Sequence, residues 1–259
     1  MKQEEKPSAE KRPARKKRKK KNRKWILILA AVILLAAAAV LVLYFVKVKT
    51  FEVEGNRQLS DEQVSELFYP EEEDKRLYKV LYNQLSGFRK NEAFDAASVK
   101  LSGLQSAVIT VKESVPAFMI ATDASANYYN SYGVRIPAPE HLEVAYPKLA
   151  GIGFIRSDML KKPVFSPEDA AVYEQCCSIF KMTGEVGLPA DSLYVQGTQF
   201  TLSFRKVRVS LGGYENMLEK LHEITYQYDQ YEGLSGVLHM EDFDPDDPYR
   251  SYWFSVDTE

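Results

Sequence analysis

The stretch FEVEGNRQLSDEQVSELF, residues 51–68, passes from strand-like alternation to helical spacing within one short turn. Phe51 and Val53 alternate with Glu52 and Glu54, the pattern of a half-buried strand. Gly55-Asn56 then supplies a turn that tolerates positive φ. Ser60 is placed to cap a helix, and Gln63, three residues on, completes a capping box. Leu59 and Val64 hold the two positions of a hydrophobic staple, and Asp61 and Glu62 suit the positive end of a helix. With Val64, Leu67 and Phe68 on one stripe, the stretch predicts strand, turn, helix.

Upstream lies WILILAAVILLAAAAVLVLYFV, Trp25 to Val46, 22 residues without a charge. As a helix it spans about 30 Å of hydrocarbon, which predicts a transmembrane segment with Trp25 and Tyr44 at the two interfaces. A cleaved signal peptide would have an apolar core of about 7–15 residues and a small-x-small site. This run is longer and leaves through LYFVK.

Charge divides the 259 residues in two. Residues 1–24 hold 13 of the 34 Lys/Arg and 3 of the 36 Asp/Glu, net +10; the remainder holds 21 and 33, net −12. A basic run in a soluble protein can bind nucleic acid or direct nuclear import. Beside a span it is a topology signal: Arg15, Lys16, Lys17, Arg18, Lys19, Lys20, Lys21, Arg23 and Lys24 place the N-terminus in the cytoplasm, where they also attract anionic headgroups. Lys47 and Lys49 are too few to reverse this, so residues 47–259 are expected to be extracytoplasmic. The two cysteines, Cys176 and Cys177, are neighbours, which excludes a disulfide-stapled scaffold and leaves the fold to its core.

Downstream, DKRLYKVLYNQL predicts a second helix on Leu77, Val80, Leu81 and Leu85, ended by Gly87. Strands follow at Phe94 to Leu101 and Ala107 to Glu113, joined by SGLQ. The order β-α-α-β-β, the phrase FEVEGNRQLS and the close in VITVKESVPA resemble a POTRA domain in its divisome form. Val111, Glu113, Pro116 and Ala117 match that family's V-x-E-x-x-P phrase, with Ser114 where arginine is usual.

The following residues predict a hairpin about Gly133, a helix capped by Ser166 with Pro167 in its first turn, and two or three strands in LYVQGTQFTLSFRKVRVSLGG. A helix on Met217, Leu218, Leu221 and Ile224 comes next, then GVLHMEDF, the acidic turn DPDDPYR and the strand SYWFSV. In this order they resemble the β domain of the FtsQ/DivIB cell-division family. The expected class is therefore α+β. It comprises a basic tail (1–24), a transmembrane helix (25–46), a POTRA domain (47–119) and a mixed α+β domain with a largely antiparallel sheet (120–259).

Several patterns invite chemistry and fail on spacing. Ser178 to Lys181 is S-x-x-K and Ser125-Ala126-Asn127 is S-x-N, two marks of penicillin-binding proteins. In that family the nucleophile precedes S-x-N, whereas here it follows by about 50 residues, and K-T-G is missing. Cys176 and Cys177 fall within an amphipathic helix with no base or orienting group nearby in sequence, and are expected to pack. His141, His222 and His239 share no zinc spacing. The acidic run from Asp242 lacks the glycine and glutamate of a calcium loop, having Asp247 and Trp253 instead. No enzyme, metal, cofactor, nucleic acid or small-molecule substrate is expected.

The last strand is the most informative site. Ser251, Tyr252, Trp253, Phe254, Ser255 and Val256 carry three consecutive aromatics, which cannot all point inward. An open edge there could accept a partner strand. The resemblance implies the same: it makes this strand the acceptor for an FtsB/DivIC-like protein together with an FtsL-like one, and adds a septal penicillin-binding protein as a further partner. It also implies a non-catalytic divisome scaffold in the bacterial cell membrane at the septum, with POTRA docking through Phe51, Val53, Gly55 and Asn56. Two other classes compete with it, a membrane-anchored cell-wall enzyme and a POTRA-bearing secretion component. The latter would need a barrel for which the chain has no room.

Overall fold

The computed structural model describes residues 22–87, 91–122, 125–139, 145–247 and 252–257. It begins with α1 (Asn22–Phe45), and Lys24–Phe45 is the one helix among the described residues long and apolar enough to cross a membrane. The apolar side chains of α1 are exposed almost throughout. Its length and apolar surface are compatible with a single membrane-spanning anchor.

Five further elements follow: β1 (Thr50–Glu54), α2 (Asp61–Phe68), α3 (Leu77–Ser86), β2 (Phe94–Leu101) and β3 (Ser106–Glu113). They build a three-stranded sheet in the order β1-β3-β2, with β1 parallel to β3 and β2 antiparallel to it. Phe51 lies beside Ala107, and Val53 beside Ile109. A parallel pair needs a long crossover, which α2, α3 and β2 supply.

The local predictions for this unit hold. Ser60 accepts from the Gln63 N–H while the Gln63 side chain accepts from the Ser60 N–H, and Leu59 and Val64 are buried together. Gly55 sits at φ 87°, and a Cβ there would run into the Val111 carbonyl. The Glu113 carboxylate reaches back across the unit and accepts from the N–H groups of Arg57 (2.9 Å), Leu59 (3.1 Å) and Gln58 (3.2 Å). That clasp closes the β1–α2 loop. Leu85 departs from expectation: α3 buries Leu77 and Val80, but Leu85 is 77% exposed, because helical period marks a stripe and no neighbour among the described residues covers its far end.

Past residues 114–117 the chain enters a second, nine-stranded sheet. Its elements are β4 (Phe118–Ala121), β5 (Ala126–Tyr129), β6 (Arg135–Ile136), β7 (Lys148–Ala150), α4 (Pro167–Val186), β8 (Ser192–Gln196), β9 (Gln199–Phe204) and β10 (Val207–Gly212). They are completed by α5 (Met217–Tyr226), β11 (Gly236–His239) and β12 (Trp253–Val256). The order is β12-β11-β10-β9-β8-β7-β4-β5-β6. The sheet is mixed: β10–β11, β7–β8 and β4–β7 are parallel and the other five pairings antiparallel. The whole is a mixed α+β chain with five α-helices among the described residues.

One face of this sheet carries the core. Leu193, Leu202, Val209 and Leu238, in register across four strands, pack with Cys176, Ile179 and Phe180 of α4 and Leu221 and Ile224 of α5. Ser166 caps α4 with Pro167 behind it, and Gly187 ends it at φ 73°. Cys176 and Cys177 both pack in the core, as expected, and burial pushes each thiol up to about 12. On α5 the structure corrects a second apolar assignment. Leu218 is exposed, while Lys220 is buried with its Nζ donating to the Leu211 carbonyl at 2.6 Å. Burial holds that ammonium below its ordinary value.

The two sheets are tied by side chains. Asn130 donates through Nδ2 to the Glu92 carbonyl (2.6 Å) and accepts at Oδ1 from the N–H groups of Tyr132 (3.1 Å) and Val134 (3.0 Å). Val134 and Leu160 then pack into the core of the small sheet. Gln58 Nε2 donates to the Ala138 carbonyl at 2.9 Å, and Lys162 joins Glu92 to Glu174.

Candidate functional site

β12 is the outermost strand of the large sheet, paired on its inner side with β11 and with no strand beyond it among the described residues. It begins at Trp253; Tyr252 precedes it, and Ser251 lies outside the described residues. Asp257 N–H donates to the Ser235 carbonyl at 3.0 Å, continuing the register in which Ser255 faces Val237 and Trp253 faces His239. Antiparallel backbones alternate inward and outward pairs, so Phe254 and Val256 turn their N–H and C=O groups to the open edge. A free edge of this kind is a template for another strand.

The two faces of β12 do different work. Phe254 packs inward, its ring 5.7 Å from that of Tyr231, and Tyr252 lies 6.1 Å from Phe243. The Tyr252 hydroxyl donates to Glu223 at 2.7 Å and accepts from the Gln227 amide. Trp253 points the other way, 60% exposed, and stacks flat on the His239 imidazole with centroids 3.8 Å apart.

His239 joins the two last strands. Its Nε2 is 3.1 Å from Ser255 Oγ and its Nδ1 3.2 Å from Glu241. Burial works against ionisation of Glu241, but hydrogen bonds from Ser210, its own backbone and His239 outweigh it and hold the carboxyl below its usual range. At the strand end, Asp257 accepts from Arg208 (2.8 Å) and Ser235 (2.9 Å). β12 is thus held on its inner edge and both faces, while no strand among the described residues pairs with its outer edge.

Sequence reasoning found the strand and its aromatics but missed His239, Glu241, Arg208 and Asp257. Asp257 directly follows β12, whereas His239 meets the strand through cross-strand register, Glu241 through His239 and Arg208 through Asp257, and no spacing along the chain signals these contacts.

The remaining predicted positions fall as follows. Phe51 is half-buried and stacks on Tyr69 at 4.8 Å, and Val53 is half-buried. Asn56 donates to the Leu59 carbonyl (2.8 Å) and to Asp61 (2.9 Å). Gly55 and Asn56 therefore form the turn itself. Of the basic tail, Arg15, Lys16, Lys17, Arg18, Lys19, Lys20 and Lys21 lie outside the described residues, as does the side chain of Arg23; Lys24 is exposed at the start of α1.

The residues of the S-x-x-K pattern and of the acidic run have local roles. Ser178 Oγ donates to the Glu174 carbonyl of its own helix at 3.0 Å. The Asp246 N–H donates to Asp244 at 3.0 Å, which shapes the acidic turn. His222 lies on α5 and His239 on β11, while His141 is outside the described residues. Among the described residues no three His, Cys, Asp or Glu side chains group to hold a metal.

No family model matches the chain, and comparison with curated proteins gives no match.

Proposed function

We propose that this chain is a non-catalytic membrane-anchored scaffold of the FtsQ/DivIB kind. Its β12 edge takes up a strand of an FtsB/DivIC-like partner, held together with an FtsL-like one, and through them bears on a septal penicillin-binding protein. The observation that carries the reading is the state of β12: an outermost strand, braced on three sides, with no strand among the described residues paired to the backbone groups of Phe254 and Val256 along the fourth. Strand addition gains affinity from main-chain hydrogen bonds and specificity from flanking side chains. Trp253 is the exposed anchor, since large aromatics dominate interface energetics.

The anchor reading is supported by α1, and the direction of insertion by the charge of residues 1–24. The POTRA reading of the small sheet is supported by its element order and by the clasp that Glu113, the glutamate of the V-x-E-x-x-P phrase, makes on the β1–α2 loop. Division and septal wall synthesis come from the resemblance of the sequence, since fold alone does not carry function.

The test uses two variants that spare the core. Val256→Pro removes an outward N–H at a place where proline fits an edge strand, and Trp253→Asp puts charge on the exposed anchor. Both are expected to keep the wild-type melting temperature and to lose co-purification with an FtsB/DivIC-like partner. Full capture by both would sink the edge assignment.

A further inference from the structure

α1 ends in contact with the small sheet's helices, with no free linker between them. Tyr44 stacks on Tyr78 of α3, ring centroids 5.8 Å apart and planes 9° from parallel, and the Arg76 guanidinium lies 4.7 Å over the same Tyr44 ring. The Leu77 N–H donates to the Val46 carbonyl at 2.9 Å and the Val48 N–H to the Lys75 carbonyl at 2.7 Å. Leu43 and Val46 pack against the small core. The first turn of α3 is thereby fixed at the level where the apolar helix stops. Tyrosines and basic residues at the end of a span sit among headgroups, so Tyr78 and Arg76 share that depth with Tyr44.

From there α3 presents Tyr78, Tyr82 and Leu85 at i, i+4 and i+7, one stripe, with Tyr82 68% exposed. Scattered exposed apolar residues need no explanation, but a stripe continuous with an apolar span does. Beside it, a groove of about 700 Å³ between α2 and α3 is lined by Phe68, Tyr69, Tyr78, Tyr82 and Lys79.

The charges here say what kind of surface this face meets. Lys47 and Lys75 pair with Glu72 (3.3 and 2.8 Å), Arg76 with Glu73 (3.4 Å) and Lys79 with Asp74 (2.7 Å). Lys47 and Lys75 share Glu72, so four cations meet three carboxylates, and among the described residues the charges of this amphipathic face are largely compensated. That suits a zwitterionic phospholipid interface rather than an anionic surface.

We propose that the Tyr78–Tyr82–Leu85 face of α3 lies in the interface of the leaflet where α1 ends, its rings among glycerol and headgroup atoms. The inference rests on α1 being a membrane span. α3 is about 15 Å long, whereas the interfacial layer is only about 5–8 Å thick on each side. All three residues share the layer only if α3 runs near the membrane plane. The small sheet is then laid on the bilayer at a set tilt, which in turn orients the large sheet tied to it.

The test places single tryptophans in the full-length chain, in nanodiscs of phosphatidylcholine brominated near the glycerol backbone, with Trp25→Phe and Trp253→Phe as background. Circular dichroism and melting establish that each variant is folded. The tryptophan introduced by Tyr82→Trp is expected to emit at shorter wavelength than in water and to lose the larger part of its fluorescence to the bromines, with or without added anionic lipid. One introduced by Phe45→Trp reports whether α1 is in the bilayer, and one by Tyr226→Trp, on the 82% exposed position of α5, should remain water-like. Quenching at position 45 with a water-like signal at position 82 overturns the proposal and leaves the span intact. A water-like signal at 45 removes the span and the proposal with it. Equal quenching at 82 and 226, or quenching at 82 only when anionic lipid is present, overturns it in favour of general adsorption or charge attraction.

Discussion

Glu113 shows how much one side chain can settle. Its carboxylate holds three successive backbone N–H groups of a loop more than 50 residues earlier in the chain, and hydrogen bonds to a charged acceptor are the stronger kind. Glu113→Ala leaves those donors without a partner and should cost about 1–3 kcal/mol of stability, measured by urea denaturation of the chain. A loss indistinguishable from zero would mean that water replaces the carboxylate at no cost. Asn56 and Gly55, read from sequence as part of a docking surface, belong to the same loop. Their hydrogen bonds and positive φ build the turn that Glu113 clasps.

At the scale of the element, β12 separates two substitutions that look alike in sequence. Trp253 and Phe254 are adjacent aromatics, yet Trp253 rests on His239 at the surface while Phe254 packs on Tyr231 and lies over Gly236, where a Cβ would meet its ring. Phe254→Asp buries a carboxylate against the core and should lower the melting temperature sharply, whereas Trp253→Asp should leave it nearly unchanged. Thermal melts followed by circular dichroism decide this, and equal melting temperatures would contradict the inward packing of Phe254. Loss of partner capture by Phe254→Asp alone therefore says nothing about the edge.

The same contrast marks what was legible in the helices. Ser60, Gln63, Ser166 and Pro167 act within three or four residues of themselves, so their roles could be read directly. Leu85 and Leu218 were placed on apolar stripes and are exposed, and Lys220 is buried beneath the sheet's end, because period identifies a face but not what covers it.

At the scale of the molecule, the hairpin carrying Asn130 and Val134 is built on the large sheet and seated in the small one. Asn130 is buried, and its amide completes three backbone groups at once. Asn130→Ala should cost about 1–3 kcal/mol for each group left dry. It should also split one cooperative unfolding transition into two by freeing the sheets from each other. Differential scanning calorimetry checks it: a single transition at the wild-type temperature would show that the sheets are coupled elsewhere, with Gln58 and Lys162 the remaining ties.

By itself the sequence determined the features that depend on near neighbours or on composition: the apolar helix, the caps and turns, the alternation of the strands and the absence of a disulfide framework. The pairings were decided only in three dimensions. β1 runs parallel to β3, β10 parallel to β11, and β12 closes the sheet at its edge. Side-chain alternation tells a strand's two faces apart, but its two edges carry the same N–H and C=O groups whatever the residues, so which edge stays open is set by the packing of the whole chain.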